Sequence, residues 1–228
     1  MIVSPPSLVR PAGAIKFLEV ALRAVKTIIY IDGQNFLYKV SERLIVANLI
    51  SSKQDIYSID LKSLFSPLFS HTDLEIRYYG VKKISSGANL NDALREKASY
   101  FADNLRRLKN YLKKEGIIYV PKGSLKVRTG EECKNCGYVE HHFQEKGVDV
   151  GIAIDLVRDA MMGNCNEIAI VSSDTDLVPA LQVVRNENVK ITYVSFTGQA
   201  TTSLAKIANR HITLDDGAIL EAYIRSLN

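Results

Sequence analysis

Ile28-Ile29-Tyr30-Ile31-Asp32-Gly33-Gln34-Asn35 and Ile168-Ala169-Ile170-Val171-Ser172-Ser173-Asp174-Thr175-Asp176 decide the fold of this chain. Each is a continuous apolar run closed by small or polar residues and an aspartate, the pattern of a strand buried on both faces of a parallel sheet. In open sheets of that kind ligands sit beyond the carboxyl ends of the strands, where these aspartates fall. A further acid, Asp149 in Glu145-Lys146-Gly147-Val148-Asp149-Val150, stands at the expected start of a helix. Carboxylates gathered at one point repel one another unless a cation lies among them, and hard oxygen donors suit magnesium or manganese.

Outward from these runs, apolar stretches alternate with helical patterns, as in a parallel sheet covered by helices on both faces. Strands are expected over residues 26–31, 74–81, 117–120, 167–171 and 190–196, the third stopped by Pro121. Helices are expected over 35–49, 91–114, 148–162, 177–186, 200–208 and 217–227, with Gly116 ending the second as a C-terminal glycine does. The architecture expected is a three-layer α/β/α sandwich with a mostly parallel central sheet, Rossmann-like, spanning 26–213. A hairpin insert interrupts it over about 122–145, and 214–228 closes the chain as a helix packed on the domain. Residues 1–25 form an extension. Apolar and charged residues alternate at helical spacing over 14–26, so an amphipathic helix is expected to pack on the domain or on a second subunit, which admits a homodimer.

With 228 residues the chain can bury a substantial core, and 46% hydrophobic and 24% charged residues are ordinary for a globular protein. No apolar run approaches the roughly 20 residues of a membrane span. The first ten residues lack the basic-then-apolar layout of a signal peptide, and three cysteines do not make a disulfide framework. A soluble, cytoplasmic protein is expected. A net charge of +4 does not by itself imply a polyanionic partner. Its distribution says more: Arg106, Lys109 and Lys113 recur on one side of the long helix, and Lys122, Lys126 and Arg128 follow it. A solvated face explains such a stripe. Phosphate contact is the functional reading, and it makes binding salt-dependent. Nearby tyrosines, Tyr78, Tyr79, Tyr100, Tyr111 and Tyr119, offer stacking platforms for bases or are core and rim.

The insert carries Cys133-Lys134-Asn135-Cys136-Gly137 followed by His141 and His142. Cys-x-x-Cys-Gly resembles one knuckle of a zinc ribbon, and a full structural site needs four ligands. One of the two histidines would be the third ligand, since neighbours on an extended strand point apart. The fourth would come from Cys165, another subunit, or nothing. A plain hairpin with free thiols and a reversible disulfide are the competing readings.

The ordered motifs Tyr30-Ile31-Asp32-Gly33-Gln34-Asn35, Glu145-Lys146-Gly147-Val148-Asp149-Val150 and Val171-Ser172-Ser173-Asp174-Thr175-Asp176-Leu177 closely resemble the NYN-domain, or LabA-like, family, which has a PIN-like nuclease fold. The resemblance covers about 26–213. It implies a metal-dependent ribonuclease acting on single-stranded RNA, with Asp32, Asp149, Asp174 and Asp176 as the magnesium or manganese site. Asn35 would orient a water or ligand beside Asp32. The chemistry agrees, because phosphodiester hydrolysis needs an activated water and charge neutralisation on the phosphate.

Taken singly, each acid also reads as an ordinary turn or helix cap. Asp155 interrupts the apolar stripe Val150, Ile154, Val157 and Met161. Being about 120° round the helix from Asp149, it is expected to support the metal site from behind rather than to ligate. Ser172 and Ser173 are expected as loop hydrogen-bonders, and Lys146 as a phosphate contact or a salt-bridge partner of Glu145. Asp174-Thr175-Asp176-Leu177-Val178 also fits a haloacid-dehalogenase-like motif, but that motif opens its fold and here stands late. A Toprim-type site expects glutamate where Asp32 stands. The rival from another class is a non-catalytic RNA-binding or regulatory module that keeps the fold.

Overall fold

The computed structural model describes residues 26–52, 56–69, 73–82, 84–85, 92–132, 135–136 and 139–227. The helix expected over 14–26 lies outside them, apart from Lys26. That residue opens β1 (Lys26–Asp32), which is buried on both faces by simple alternation. Ile29 and Ile31 enter one core, with Phe36, Val40 and Leu44 of α1 (Gly33–Val46). Ile28 and Tyr30 enter the other, with Ile152 and Leu156 of α4 (Val148–Met161). A run with no polar alternation is what such a central strand requires.

Around β1 stand β2 (Asp73–Val81), β4 (Ile118–Lys122), β7 (Glu167–Val171), β8 (Lys190–Phe196) and β9 (Arg210–Leu214). They form a six-stranded sheet in the order β4-β2-β1-β7-β8-β9, parallel throughout. One face carries α1, α2 (Leu61–Phe65) and α7 (Asp216–Ser226); the other carries α4, α5 (Val178–Asn186) and α6 (Thr202–Ile207). The long α3 (Asp92–Lys114) sends Leu108 and Leu112 into the first core. A small second sheet joins β3 (Ile84–Ser85), β5 (Ser124–Glu132) and β6 (Val139–Lys146) in the order β3-β5-β6. Among the described residues no helix is long and apolar enough to cross a membrane.

The three-layer parallel architecture is the one expected, with local differences that have physical causes. β4 runs through Pro121, which pairs with Gly80; it is an edge strand, where a missing N–H costs little. β9 and α2 were not expected. β9 is an edge strand with a mixed pattern, three of its five residues exposed, so it lacks the apolar run that marks its neighbours. Of the stripe Val150, Ile154, Val157 and Met161, only Val157 packs against the core; Val150, Ile154 and Met161 face outward, each more than half exposed. The buried side of α4 instead carries Gly151, Ile152, Asp155, Leu156 and Asp159. Both aspartates are fully partnered there, Asp159 by Tyr30, Arg77 and Asn164.

Candidate active site

Strand order reverses between β1 and β7, with β2 and β4 on one side and β8 and β9 on the other. Such a switch point leaves a crevice at the carboxyl ends of the two strands. Asp32 ends β1 there, buried, and its side chain caps α1 by accepting the Asn35 N–H at 3.2 Å. Gly33 is required next: a Cβ would come within 2.3 Å of the Tyr78 ring and the Tyr79 carbonyl. Beyond β7, Ser172 Oγ donates to Asp32 Oδ2 at 2.8 Å and accepts the Asp174 N–H at 3.1 Å. Asp174 accepts the Asp176 N–H at 2.8 Å and so caps the 3-10 turn Thr175–Leu177. Asn35 Nδ2 donates to Ser173 Oγ at 2.8 Å, tying α1 to the loop after β7. The plain reading of Asp174 as a cap is thus correct, Asp32 caps a helix where a simple turn was the plain reading, and both roles coexist with their meeting at one crevice.

Asp149 lies in the first turn of α4, behind the left-handed Gly147 (φ 85°), which serves as N-cap without a side chain of its own. Its field reaches the other acids. Burial chiefly, then Asp149 and Asp174, hold the Asp32 carboxyl up at about 6, against the pull of Ser172 and the Asn35 N–H. Burial, Asp174 and Asp176 likewise raise Asp149 above the usual carboxylate range. A fifth acid joins them that the motif reading left aside: Glu145, at the end of β6, is pushed up to about 7 by burial, Asp32 and Asp149. In sequence it looked like a mere flank of Lys146; the available signal was its place four residues before Asp149 across a glycine turn.

Carboxylates raised by burial and then by one another lack a neighbouring positive charge, and their donor set is all oxygen, which fits a magnesium- or manganese-sized ion. In this conformation, however, no three His, Cys, Asp or Glu side chains among the described residues close round one point. Asp32 alone of the four aspartates is buried; Asp149 and Asp174 are half-buried and Asp176 is exposed.

Other expected site residues are distributed unevenly. Asp155 is turned away from the cluster, to Lys122 (3.0 Å), Arg158 (3.1 Å) and the Tyr79 hydroxyl (3.1 Å). Lys122 reaches it by running over Gly151, where a Cβ would stand 2.6 Å from the lysine stem. Lys122 is therefore committed to an ion pair within the chain. Lys109 lies over the Tyr119 ring at 4.6 Å, and burial lowers its pKa. Arg106 pairs with Asp103 at 3.0 Å on the surface of α3. Lys113, Lys126 and Lys146 are exposed. Tyr78 and Tyr79 are core, as one of the two readings held. Cys133 and the side chains of Arg128, His141 and His142 lie outside the described residues, and with them the zinc set. Cys136 is exposed, whereas Cys165 is buried in the second core, between α4 and β7.

The NYN domain description matches residues 26–215. A curated relative, 6-hydroxy-3-succinoylpyridine 3-monooxygenase HspA of Pseudomonas putida (strain DSM 28022 / S16), is 28% identical over 213 residues, covering 81% of this chain. The chain spans only 65% of that relative's length. Among solved structures, a protein of unknown function from Vibrio parahaemolyticus is similar with a TM-score of 0.49 and 17% identity, over 86% of this chain and 96% of that one. Human GEN1 in complex with Holliday junction DNA is similar at a TM-score of 0.29 and 11% identity, over 74% of this chain and 38% of that one.

Proposed function

The chain belongs to the NYN-domain family, and from that premise we propose that it is a divalent-metal-dependent ribonuclease hydrolysing phosphodiester bonds of single-stranded RNA. Family membership supports a nuclease-type function. The finer reading is supported by one observation: at the switch point Asp32, Asp149 and Glu145 are raised by burial and then by neighbouring acids, Asp174 among them, a concentration of carboxylate that a bound cation would neutralise.

Asp32, Asp149, Asp174 and Asp176 would hold magnesium or manganese, which when bound supplies an activated water and neutralises charge on the phosphate. The residues around them have separable tasks. Ser172 fixes the Asp32 carboxylate through Oδ2 and holds the Asp174 backbone, so two strand ends keep their spacing. Asn35 acts through Ser173, holding the start of α1 against the β7 loop. Glu145, carrying a proton near neutral pH, is suited to move one at the edge of the site. The name of the Pseudomonas putida relative carries no activity to this chain at 28% identity and 65% coverage of that protein.

The test is cleavage of a labelled single-stranded RNA in manganese, magnesium or EDTA, beside an Asp174→Asn variant of unchanged melting temperature. Metal-dependent cutting lost in the variant is expected. Equal cutting by both proteins indicates a contaminating nuclease. RNA retention without turnover in either protein gives the alternative, a binding or regulatory module on the same fold.

A further inference from the structure

We propose that the cavity beside the carboxylates is a subsite for one nucleobase of single-stranded RNA, belonging to a nucleotide whose phosphate lies at the acid cluster; this rests on the ribonuclease reading above. The cavity, of about 380 Å³, lies between α1, α3 and the β2–β4 side of the sheet. That volume is within the range of small-ligand sites, roughly 300 to 1,000 Å³. Gly33, Gln34 and Glu145 line it, and Gly33 directly follows Asp32. An occupant therefore sits one residue from the acids, about where the base of a bound nucleotide must go.

The lining selects by chemistry. Leu37, Leu105 and Val81 present hydrocarbon. Tyr119, half-buried and stacked on the buried Tyr78, spends its hydroxyl on the Val81 carbonyl (2.8 Å), as Tyr78 spends its own on the Gly33 carbonyl (2.9 Å), so what lines the space there is ring carbon. Gln34, Asn104 and Glu145 add polar edges. Among the described lining residues there is no Lys or Arg, and the one carboxyl is Glu145, so the cavity offers a phosphate or carboxylate no counter-charge, whereas a neutral heterocycle needs none. Flat apolar walls with a few polar groups at the margin match an unstacked base, and a base inside a duplex could not enter.

The chain contains no tryptophan, so the fluorescence of 2-aminopurine can be read without interference. The full-length protein, in EDTA, is titrated with a short single-stranded RNA carrying 2-aminopurine and with the same strand made abasic at that position. Binding of the base-containing strand is expected to be at least about tenfold tighter, equivalent to about 1.4 kcal/mol. Leu105→Phe fills the cavity from α3 and Leu37→Phe from α1. Each is expected to bring binding of the base-containing strand down to that of the abasic strand, in a protein that still melts cooperatively. Equal binding of the two strands, an advantage that survives in both variants, or no RNA binding overturns the subsite. Manganese-dependent cleavage of the same strands separates the two readings. Cutting without base dependence sinks the subsite alone, and base-dependent binding without cutting sinks the ribonuclease reading alone.

Discussion

Asp32 has a donor on each carboxylate oxygen, and its pKa still stands near 6 because it is buried among other acids. The sign of the linkage follows. Asp32 rises from 3.8 to about 6 and Glu145 from 4.5 to about 7, so the folded state binds more protons than the unfolded chain across that window. Stability without metal is then greatest near pH 5 and falls toward pH 8. Asp159 and Glu75 shift downward, and their contribution changes only below about pH 4.5. Metal-free protein is expected to melt a few degrees higher at pH 5 than at pH 8. Manganese should close most of that gap at pH 8, and Glu145→Gln should flatten the profile. A melting temperature that climbs from pH 5 to pH 8 in EDTA would contradict the charge deficit. Ser172→Ala removes the donor on Asp32 Oδ2 and the acceptor of the Asp174 N–H while leaving every proposed ligand side chain in place. Cleavage should fall about 10- to 100-fold, with partial recovery at higher metal, as for other groups that orient metal ligands. Asp32, Asp149 and Asp174 were legible in the sequence because strand ends and a helix start announce them. Glu145 was not, because its role depends on where a hairpin returns to the sheet.

At the scale of elements, α4 shows what pattern alone cannot decide. Both of its faces carry apolar residues, so periodicity did not tell the buried side from the exposed one; the partners of Asp155 and Asp159, which come from β1, β2 and β4, decide it. Asp155 is almost wholly buried and accepts from Lys122, Arg158 and Tyr79 at once. Asp155→Ala strands the Lys122 ammonium beside α4 and should cost about 3 kcal/mol, on the order of 10 °C in melting temperature. Asp155→Asn keeps an acceptor for Tyr79 and Lys122 and should cost clearly less; equal losses would mean that packing rather than charge holds α4. The hairpin meets α4 at Gly123, which has φ 57° and lies so close to β6 that a Cβ would stand 2.0 Å from the Lys146 carbonyl. Backbone pairing of Ser124 with Lys146 thus anchors the turn that precedes Asp149. Gly123→Ala should therefore lower cleavage more than Lys126→Ala, a change on the exposed part of the same strand; similar activities would show that the junction does not position Asp149. The central strands were readable from their apolar runs, but β9 and the course of β4 through Pro121 were not, because edge strands need neither continuous burial nor every N–H.

For the molecule as a whole, the parallel sheet gathers the carboxylates at one pole, and that pole is acidic although the chain carries a net +4. Six basic side chains were candidates for phosphate contact from their spacing: Arg106, Lys109, Lys113, Lys122, Lys126 and Arg128. Spacing cannot reveal partners brought by distant segments, and here they alter the count. Lys122 is bound to Asp155, and Lys109 sits over Tyr119. Arg106 has Asp103 beside it, whereas Lys113 and Lys126 are exposed. Each phosphate neutralised on a single strand contributes about −0.7 to the slope of log K against log salt. The two exposed cations, Lys113 and Lys126, therefore give a slope of about −1.4, against about −4 had all six faced the RNA. Measured by fluorescence anisotropy with EDTA present, a shallow slope is expected, with Lys113→Ala and Lys126→Ala each reducing it by somewhat less than one. A slope near −4 would mean that Lys122 and Lys109 abandon their internal partners on binding. Lys122→Met would then weaken binding as much as Lys126→Ala, a result the present ion pair does not allow. In magnesium the affinity should rise at every salt concentration, because the acid pole otherwise repels the strand that the basic side chains attract.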